Sequence, residues 1–552
     1  MNRRLAFRLT ILLLGVIAGT VSVLNSQSPS STDMRRAEQA RLERIPHADL
    51  GNGYFRNPVL VGPGSDNTVL RVDKDYYMLA GGGWPDQLVW HSRDLVNWRP
   101  ITRALRKYDG GAWATDISYY KGKYYIYTTQ ADATRGNTGP LNSSQRSLLG
   151  VPFKDQGDKA WSNVVLWAND PAGPWSDPIK LGVYGVFDPG HVVDQQGNRY
   201  LYFNKGMMIH LAPDGTSVVG DLKKVYDGWD YPKDWAVECK CLEAPKLIFH
   251  NGYYYMASAE GGTSGPTTAH MSIMARSRSV EGPWENSPYN PVVHTRNQDE
   301  KWWRQGHGTL VDDADGKWWF LYTGYENGYS LYGKQSLLLP VEWTADGWPR
   351  VPPGASATDI LPKPAGESVG HGMPLSDDFS STALGIQWQW APAANPAELF
   401  HVGDGQLRMK AQGTIPGEAA IPPANATTVG VMPVNHAYEA EVEILIPDTA
   451  EAGLMLGAGG RGGSTWATVG LRKDQALATW AGQANYLKWS GNHIFVRLRN
   501  NKFDVTASYS TDGRQWTRFD NSTYVPDGRR LSLYAAGAGA VEFRNFKYRG
   551  LD

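Results

Sequence analysis

Five ionisable side chains recur at one position of a sequence repeat. Asp66, Asp116, Asp188, Glu243 and His307 each stand just ahead of a short apolar run. Like charges gathered at one place raise each other's pKa, so such a set can separate a proton donor from an ionised base. Two carboxyls flanking a bond, one protonated and one ionised, with Trp and Tyr around them, are the equipment for hydrolysing a glycosidic bond. Taken singly, each residue has a plainer role: an Asp before a strand caps a turn, and a lone His in a glycine-rich stretch is structural. Independent turn-formers have no reason to share one repeat position, and that coincidence points to a common site.

The elements that must gather them are legible as hairpins. The copies are VLRVDKDYYML from residue 69, ISYYKGKYYIY from 117, VVDQQGNRYLY from 192, LIFHNGYYYM from 247 and LVDDADGKWWFLY from 310. Each reads as an alternating strand, a turn built from Asp, Asn, Gly or Lys, and an aromatic strand. A further strand follows each hairpin, beginning near residues 89, 164, 209, 273 and 336. Units of this kind match the blades of a propeller, packed side by side around a channel. A five-bladed β-propeller over 49–351 is therefore expected. Its innermost strands would all start at one end of the channel and bring the five residues to a single mouth.

The rest of the chain reads as follows. Residues 352–374, with five prolines among Gly and Ser, look like a linker. Residues 375–552 carry short alternating strands and turns, the pattern of a β-sandwich or jelly roll, so the fold class is all-β. Gly457, Gly459 and Gly462 spell G-x-G-x-x-G, but a strand follows, which indicates a glycine-rich hairpin and not a nucleotide site. Residues 1–26 have the cationic start and short apolar core of a signal peptide, and 27–48 read as a polar tether with a short helix. An uncleaved membrane anchor is the alternative there. With cleavage, the protein is exported, with no other attachment to membrane. Cys239 and Cys241 flank one residue; a bridge that short would be strained on a regular strand, so unpaired thiols are expected. The chain has 552 residues and a net charge of -1, which gives no electrostatic grip on nucleic acid. Its 22 Trp and 28 Tyr against 14 Phe favour rings with a polar tip.

On these motifs the sequence resembles glycoside hydrolase family 43, five-bladed propeller enzymes acting on plant polysaccharides, over residues 55–351. Asp66-Asn67-Thr68-Val69-Leu70-Arg71-Val72 is similar to D-P-S-I-x-R-V, whose Asp is the general base. Trp113-Ala114-Thr115-Asp116-Ile117 resembles W-A-P-D-I, whose Asp tunes the pKa of the acid. Leu242-Glu243-Ala244-Pro245 resembles the motif of the general acid, and Gly306-His307-Gly308-Thr309 resembles G-H-G-S, whose axial His often contacts a metal or water. Asn67 and Thr115 replace prolines of the pattern. Tyr332-Gly333-Lys334-Gln335 stands where many members carry a substrate-binding Arg; Lys334 keeps its charge without its fork.

The resemblance implies an inverting hydrolase of the β-xylosidase/α-L-arabinofuranosidase type, acting on hemicellulose or its oligosaccharides. Asp66 would be the base, Glu243 the acid and Asp116 the residue that keeps Glu243 protonated. Trp84, Trp113, Asp188 and Lys334 would bind substrate, although Asp188 can equally be a turn residue and either Trp blade packing. His307 is a candidate axial metal ligand; no cofactor is required, and a structural calcium or other cation fits the channel. The C-terminal region resembles the concanavalin-like sandwich that follows the propeller in many β-xylosidases. Rival readings are a non-catalytic carbohydrate-binding propeller and a galactan- or fructan-acting propeller hydrolase. Glu238-Cys239 and Arg93-Asp94 superficially match fructan motifs, but the nucleophile segment N-D-P-N-G is absent.

Overall fold

The computed structural model of the chain describes residues 31–62, 66–80, 87–105, 112–131, 161–390, 395–416, 423, 425–457, 465–480, 483–526 and 528–552. The segment read as a signal peptide and Trp84 lie outside these residues. Among the described residues no helix is long and apolar enough to cross a membrane.

Five consecutive antiparallel sheets follow one another along the chain and form the propeller. Blade 1 consists of Thr68–Val72, Asp75–Ala80, Leu88–Ser92 and Arg99–Arg103, and blade 2 of Ala112–Tyr120, Lys123–Ala131, Trp161–Ala168 and Ile179–Lys180. Blade 3 consists of Gly190–Val193, Arg199–Phe203, Met207–Leu211 and Val218–Lys224. Blade 4 is Cys239–His250, Tyr253–Gly261, Met271–Ser277 and Glu285–Asn286, with Val293–His294 also paired to its third strand. Blade 5 is Trp302–Asp312, Trp318–Glu326, Lys334–Trp343 and Pro349–Arg350.

The aromatic second strands supply the cement between blades. Tyr76, Tyr127, Tyr202, Tyr255 and Tyr322, one per blade, are all fully buried. A buried phenol needs a partner for its hydroxyl, and four of the five find it on a neighbouring blade. Tyr127 donates to Gly215 O at 2.9 Å, Tyr202 to Val280 O, Tyr255 to Gly347 O at 2.5 Å and Tyr76 to Asp312 O at 3.0 Å. Phe would fill the same space and leave the bolts unmade.

Each blade is built from a single stretch of chain, so other groups close the ring between blades 1 and 5. Arg71 Nη1 donates to the Asp312 carboxylate at 2.5 Å and to Asp313 O at 2.9 Å. The segment ahead of blade 1 runs along the third strand of blade 5, with Asn57 bonding both Leu338 N and O, and Leu60 paired to Ser336.

The stretch expected to be a linker is docked. Ile360–Pro362 pairs antiparallel with Tyr54–Arg56, and Lys363 bridges Asp49 at 2.7 Å and Asp94 at 3.1 Å. Beyond it, two seven-stranded sheets form the sandwich around one apolar core. Of the glycine-rich motif, Gly457 pairs with Trp466 in an antiparallel ladder, and Gly459 and Gly462 lie outside the described residues. The helix Ser31–Leu42 lies within the predicted tether, and Glu43 just after it accepts Leu375 N at 2.6 Å and Ser376 N at 3.1 Å.

Cys239 and Cys241 form a disulfide, against the expectation of free thiols. Two residues along a regular strand span about 6.6–6.8 Å, whereas these Cα atoms are 5.2 Å apart. The difference is local backbone: Cys241 has φ of 41° and the ladder shifts register between Cys239 and Glu243.

Candidate active site

Four of the five inner strands bring an acidic or imidazole side chain to a common centre, and irregular backbone aims them. Glu243 lies between two register shifts of blade 4, and His307 follows one and precedes another in blade 5. Asp188, Ala244 and His307 have left-handed backbones, with φ of 58°, 51° and 50°. Bulges and left-handed non-glycine residues re-aim side chains and gather at functional sites. Gly190 and Pro245 explain how blades 3 and 4 come so close: a Cβ on Gly190 would stand 1.8 Å from Pro245 O. That approach brings Asp188 and Glu243 together.

His307 is the hub. Its Nδ1 lies 3.2 Å from Asp66, while its Nε2 lies 3.4 Å from Glu243 and 3.7 Å from Asp188. Burial, reinforced by Lys334 and Lys246, holds this imidazole well below the ordinary histidine pKa, so it is neutral. A neutral ring has one N–H and one lone pair. It can donate to an ionised carboxylate on one side and accept from a protonated carboxyl on the other. The width of the ring separates Asp66 from Glu243.

The carboxyls have different environments. Burial, then the charge of Asp188, pushes Glu243 well above the ordinary glutamate range; Asp66 and Glu238 add to this and Lys334 opposes it. Burial, then Asp66, raises Asp188 to about 7, against Lys334 and Lys246. Lys334 Nζ is paired to Asp66. Burial pulls that ammonium down, but Asp66, Tyr325 and Glu243 outweigh it and leave its pKa above the ordinary lysine value.

Two of the expected site residues are held by lysines. Asp116 accepts from Lys246 Nζ at 3.1 Å, Thr68 Oγ1 at 3.0 Å and His191 N at 2.8 Å. Lys246 Nζ also holds Thr115 O at 2.8 Å and Pro189 O at 3.0 Å. Asp116 is thus a neutralised staple joining blades 1 to 4, and the negative charge that raises Glu243 most belongs to Asp188. Lys334, expected to bind substrate, has its ammonium paired to Asp66. Trp113 is half-buried and meets Phe187, the neighbour of Asp188, edge-on at 5.9 Å.

His270 is a member of the centre that the sequence did not announce. It is fully buried, lies 5.5 Å from the His307 ring, and neither ring nitrogen has a hydrogen-bond partner among the described residues. A Cβ on Gly306 would be 2.0 Å from its ring, so the glycine beside His307 makes room for it. Glu243, His270 and His307 form the one cluster of metal-capable side chains among the described residues, with ligand atoms within 4.8 Å. Two imidazoles and one carboxylate do not fit the calcium expected for the channel, because calcium takes six to eight oxygens. Coordination would also remove the proton that Glu243 is built to keep.

Residues 55–349 match the profile "Glycosyl hydrolases family 43". A non-reducing end alpha-L-arabinofuranosidase of Bacteroides ovatus is 31% identical over 389 residues, covering 66% of each chain. A xylan 1,3-beta-xylosidase of a Vibrio species is 28% identical over 375 residues, covering 60% of this chain and 64% of its own. The chain thus spans just under two thirds of the length of these curated relatives. Among solved structures, a family 43 protein of Bacillus licheniformis superposes with a TM-score of 0.74 at 24% identity, covering 90% of this chain and all of the other. A xylan beta-1,4-xylosidase of Bacillus halodurans gives 0.71 at 23% identity, covering 90% and 99%. Those two likenesses concern the fold, propeller and sandwich together.

Proposed function

Because the chain belongs to glycosyl hydrolase family 43, we propose that it is an inverting glycoside hydrolase that removes xylosyl or arabinofuranosyl units from hemicellulose or its oligosaccharides. The observation that carries this reading is the asymmetry across His307: an acid kept protonated on one side, a lysine-paired carboxylate on the other. Glu243 donates its proton to the glycosidic oxygen as the bond breaks. Asp66 takes a proton from a water on the opposite face of the sugar, and that water's oxygen bonds to the anomeric carbon. An inverting pair stands about 6.5–9.5 Å apart to leave room for this water, and the placing of Asp66 and Glu243 on opposite nitrogens of the His307 ring supports the assignment.

Asp188 takes the role first expected of Asp116. Burial keeps Glu243 protonated at neutral pH, where an ordinary glutamate would be ionised, and the charge of Asp188 beside it adds to this. The two curated relatives described above are named for arabinofuranosidase and xylosidase activity, which supports the choice of sugars.

Proton NMR of the products from a panel of aryl glycosides tests the proposal. The expected result is release of a pentose with inverted anomeric configuration; retention overturns the mechanism. Glu243→Gln should lose about 10²–10⁴-fold in turnover on substrates with a poor leaving group, the usual worth of a positioned acid. A propeller that only binds carbohydrate would be indifferent to that change.

A further inference from the structure

The loop 262–268 follows the strand Tyr253–Gly261, which pairs with the strand of Glu243, and forms a wall there; two oppositely charged side chains grip one residue of it, Gly265. Glu238 Oε2 accepts Ser264 N at 2.6 Å and Gly265 N at 3.0 Å. From the other side, Arg304 donates to Gly265 O from Nη2 at 2.7 Å and from Nε at 3.2 Å. Gly265 must be glycine, since a Cβ there would lie 2.6 Å from Glu238 Cβ. Arg304 is itself turned by a left-handed backbone, with φ of 49°, just ahead of Gly306 and His307. Its guanidinium leans over the Tyr325 ring at 5.7 Å.

Each side chain uses only part of its capacity on the wall. Both bonds to Glu238 are made by Oε2, so Oε1 has no partner among the described residues, and the same holds for Arg304 Nη1. Glu238 is exposed and Arg304 half-exposed. Both lie in the field of the site: Glu238 acts on Glu243, and Arg304 on His270. An anchored acceptor and an anchored planar donor, both tied to the loop at Gly265, suit the hydroxyls of a neutral sugar. The wall continues outward through Thr268, whose carbonyl lies 2.9 Å from His294 Nε2, to the ring of Trp235 stacked on His294 at 4.2 Å.

We propose that Glu238 and Arg304 form a second sugar-binding subsite, on the leaving-group side of Glu243, that holds the unit remaining after cleavage. The inference rests on the hydrolase reading, because the acid must face the departing oxygen and the sugar attached to that oxygen must lie beyond it. The substrates it selects are oligosaccharides, in preference to glycosides with a non-sugar leaving group.

The test compares two substrates carrying the pentose identified by the product NMR: its p-nitrophenyl glycoside, and the same pentose linked to xylose. Arg304→Met should lower the ratio of kcat/KM on the disaccharide to that on the aryl glycoside about tenfold or more, as expected for loss of hydrogen bonds from a charged donor. Arg304→Lys should recover part of that ratio. Glu238→Gln, whose amide oxygen can still accept the Ser264 and Gly265 N–H groups, should lower it less and serves if the Met variant does not fold. A ratio unchanged in both Arg304→Met and Glu238→Gln overturns the proposal. If the wild type turns over no glycoside, the hydrolase reading fails separately. Calorimetric titration of a Glu243→Gln protein with xylobiose then decides the subsite: tenfold weaker binding on adding Arg304→Met supports it, and equal binding refutes it.

Discussion

At the scale of single residues, Asp188 and Asp116 illustrate how environment assigns chemistry to identical side chains. Asp188 is buried next to Glu243 with no lysine salt bridge of its own, so its charge acts on its neighbour. Asp116 is just as buried but meets Lys246, and its charge is cancelled at 3.1 Å. Asp188→Asn should therefore lower the pKa of Glu243. The group must be protonated to act, so the basic limb of the kcat/KM–pH profile should move to lower pH. Asn tolerates the left-handed backbone of this position, which leaves the lost charge as the main change. Lys334→Met removes a positive charge that favours ionised Glu243, and the same limb should move the other way. Both shifts are read from pH–rate profiles on one aryl glycoside.

At the scale of elements, the inner strands carry the site and also hold the blades together. Removing one partner of a buried ion pair leaves an uncompensated charge and costs about 3–5 kcal/mol. Lys246→Met should therefore destabilise the propeller by that order, measured by denaturant unfolding, because Asp116 loses its counter-charge and Thr115 O and Pro189 O lose the ammonium donor. The same assay should show Asp116→Ala more destabilising than Asp188→Ala, whereas Asp188→Ala should cost more turnover per folded molecule. An equal loss of turnover in the two variants would return the tuning role to Asp116.

At the scale of the whole molecule, the sandwich is fastened to the blade that carries Lys334. Tyr332 donates to Asn435 O at 2.6 Å, and the His436 ring lies 3.6 Å from Tyr329, nearly parallel. His436 Nε2 is 3.0 Å from Glu326, which also accepts from Gln335 at 3.1 Å, next to Lys334. Asp552 clamps the sandwich loop by accepting His436 N at 3.0 Å and Ala437 N at 3.2 Å. On the far side of the contact, Arg103 donates to Ile386 O at 2.6 Å and Trp388 O at 2.8 Å. His436→Ala removes one charge-assisted bond and a ring contact. It should lower the unfolding temperature by about 2–4 °C, the shift that about 1 kcal/mol produces in a domain of this size. An unchanged transition in scanning calorimetry would mean that the two domains unfold without supporting each other.

The sequence by itself determined the repeat, and the repeat determined the architecture. Alternating strands, Asp-Gly and Asn-Gly turns and paired aromatics are local signals, each readable within a dozen residues. They sufficed to place Asp66, Asp188, Glu243 and His307 at equivalent positions. Part of the Tyr excess is blade cement, because a phenol can bury its ring and still bond the next blade. Trp84 lies outside the described residues, and of the two expected platforms only Trp113 can be placed. Tertiary structure alone decided which charges neutralise each other. Lys246, His270 and Arg304 carry no motif and Glu238 only a misleading one, and their roles depend on bulges and left-handed residues that break the alternation on which strand patterns rely. The disulfide of Cys239 and Cys241 escaped for the same reason. Period-two reasoning assigns a face to every residue of a regular strand, but this site is built where the strands are irregular, and charge pairing across blades is set by distances that sequence spacing does not encode.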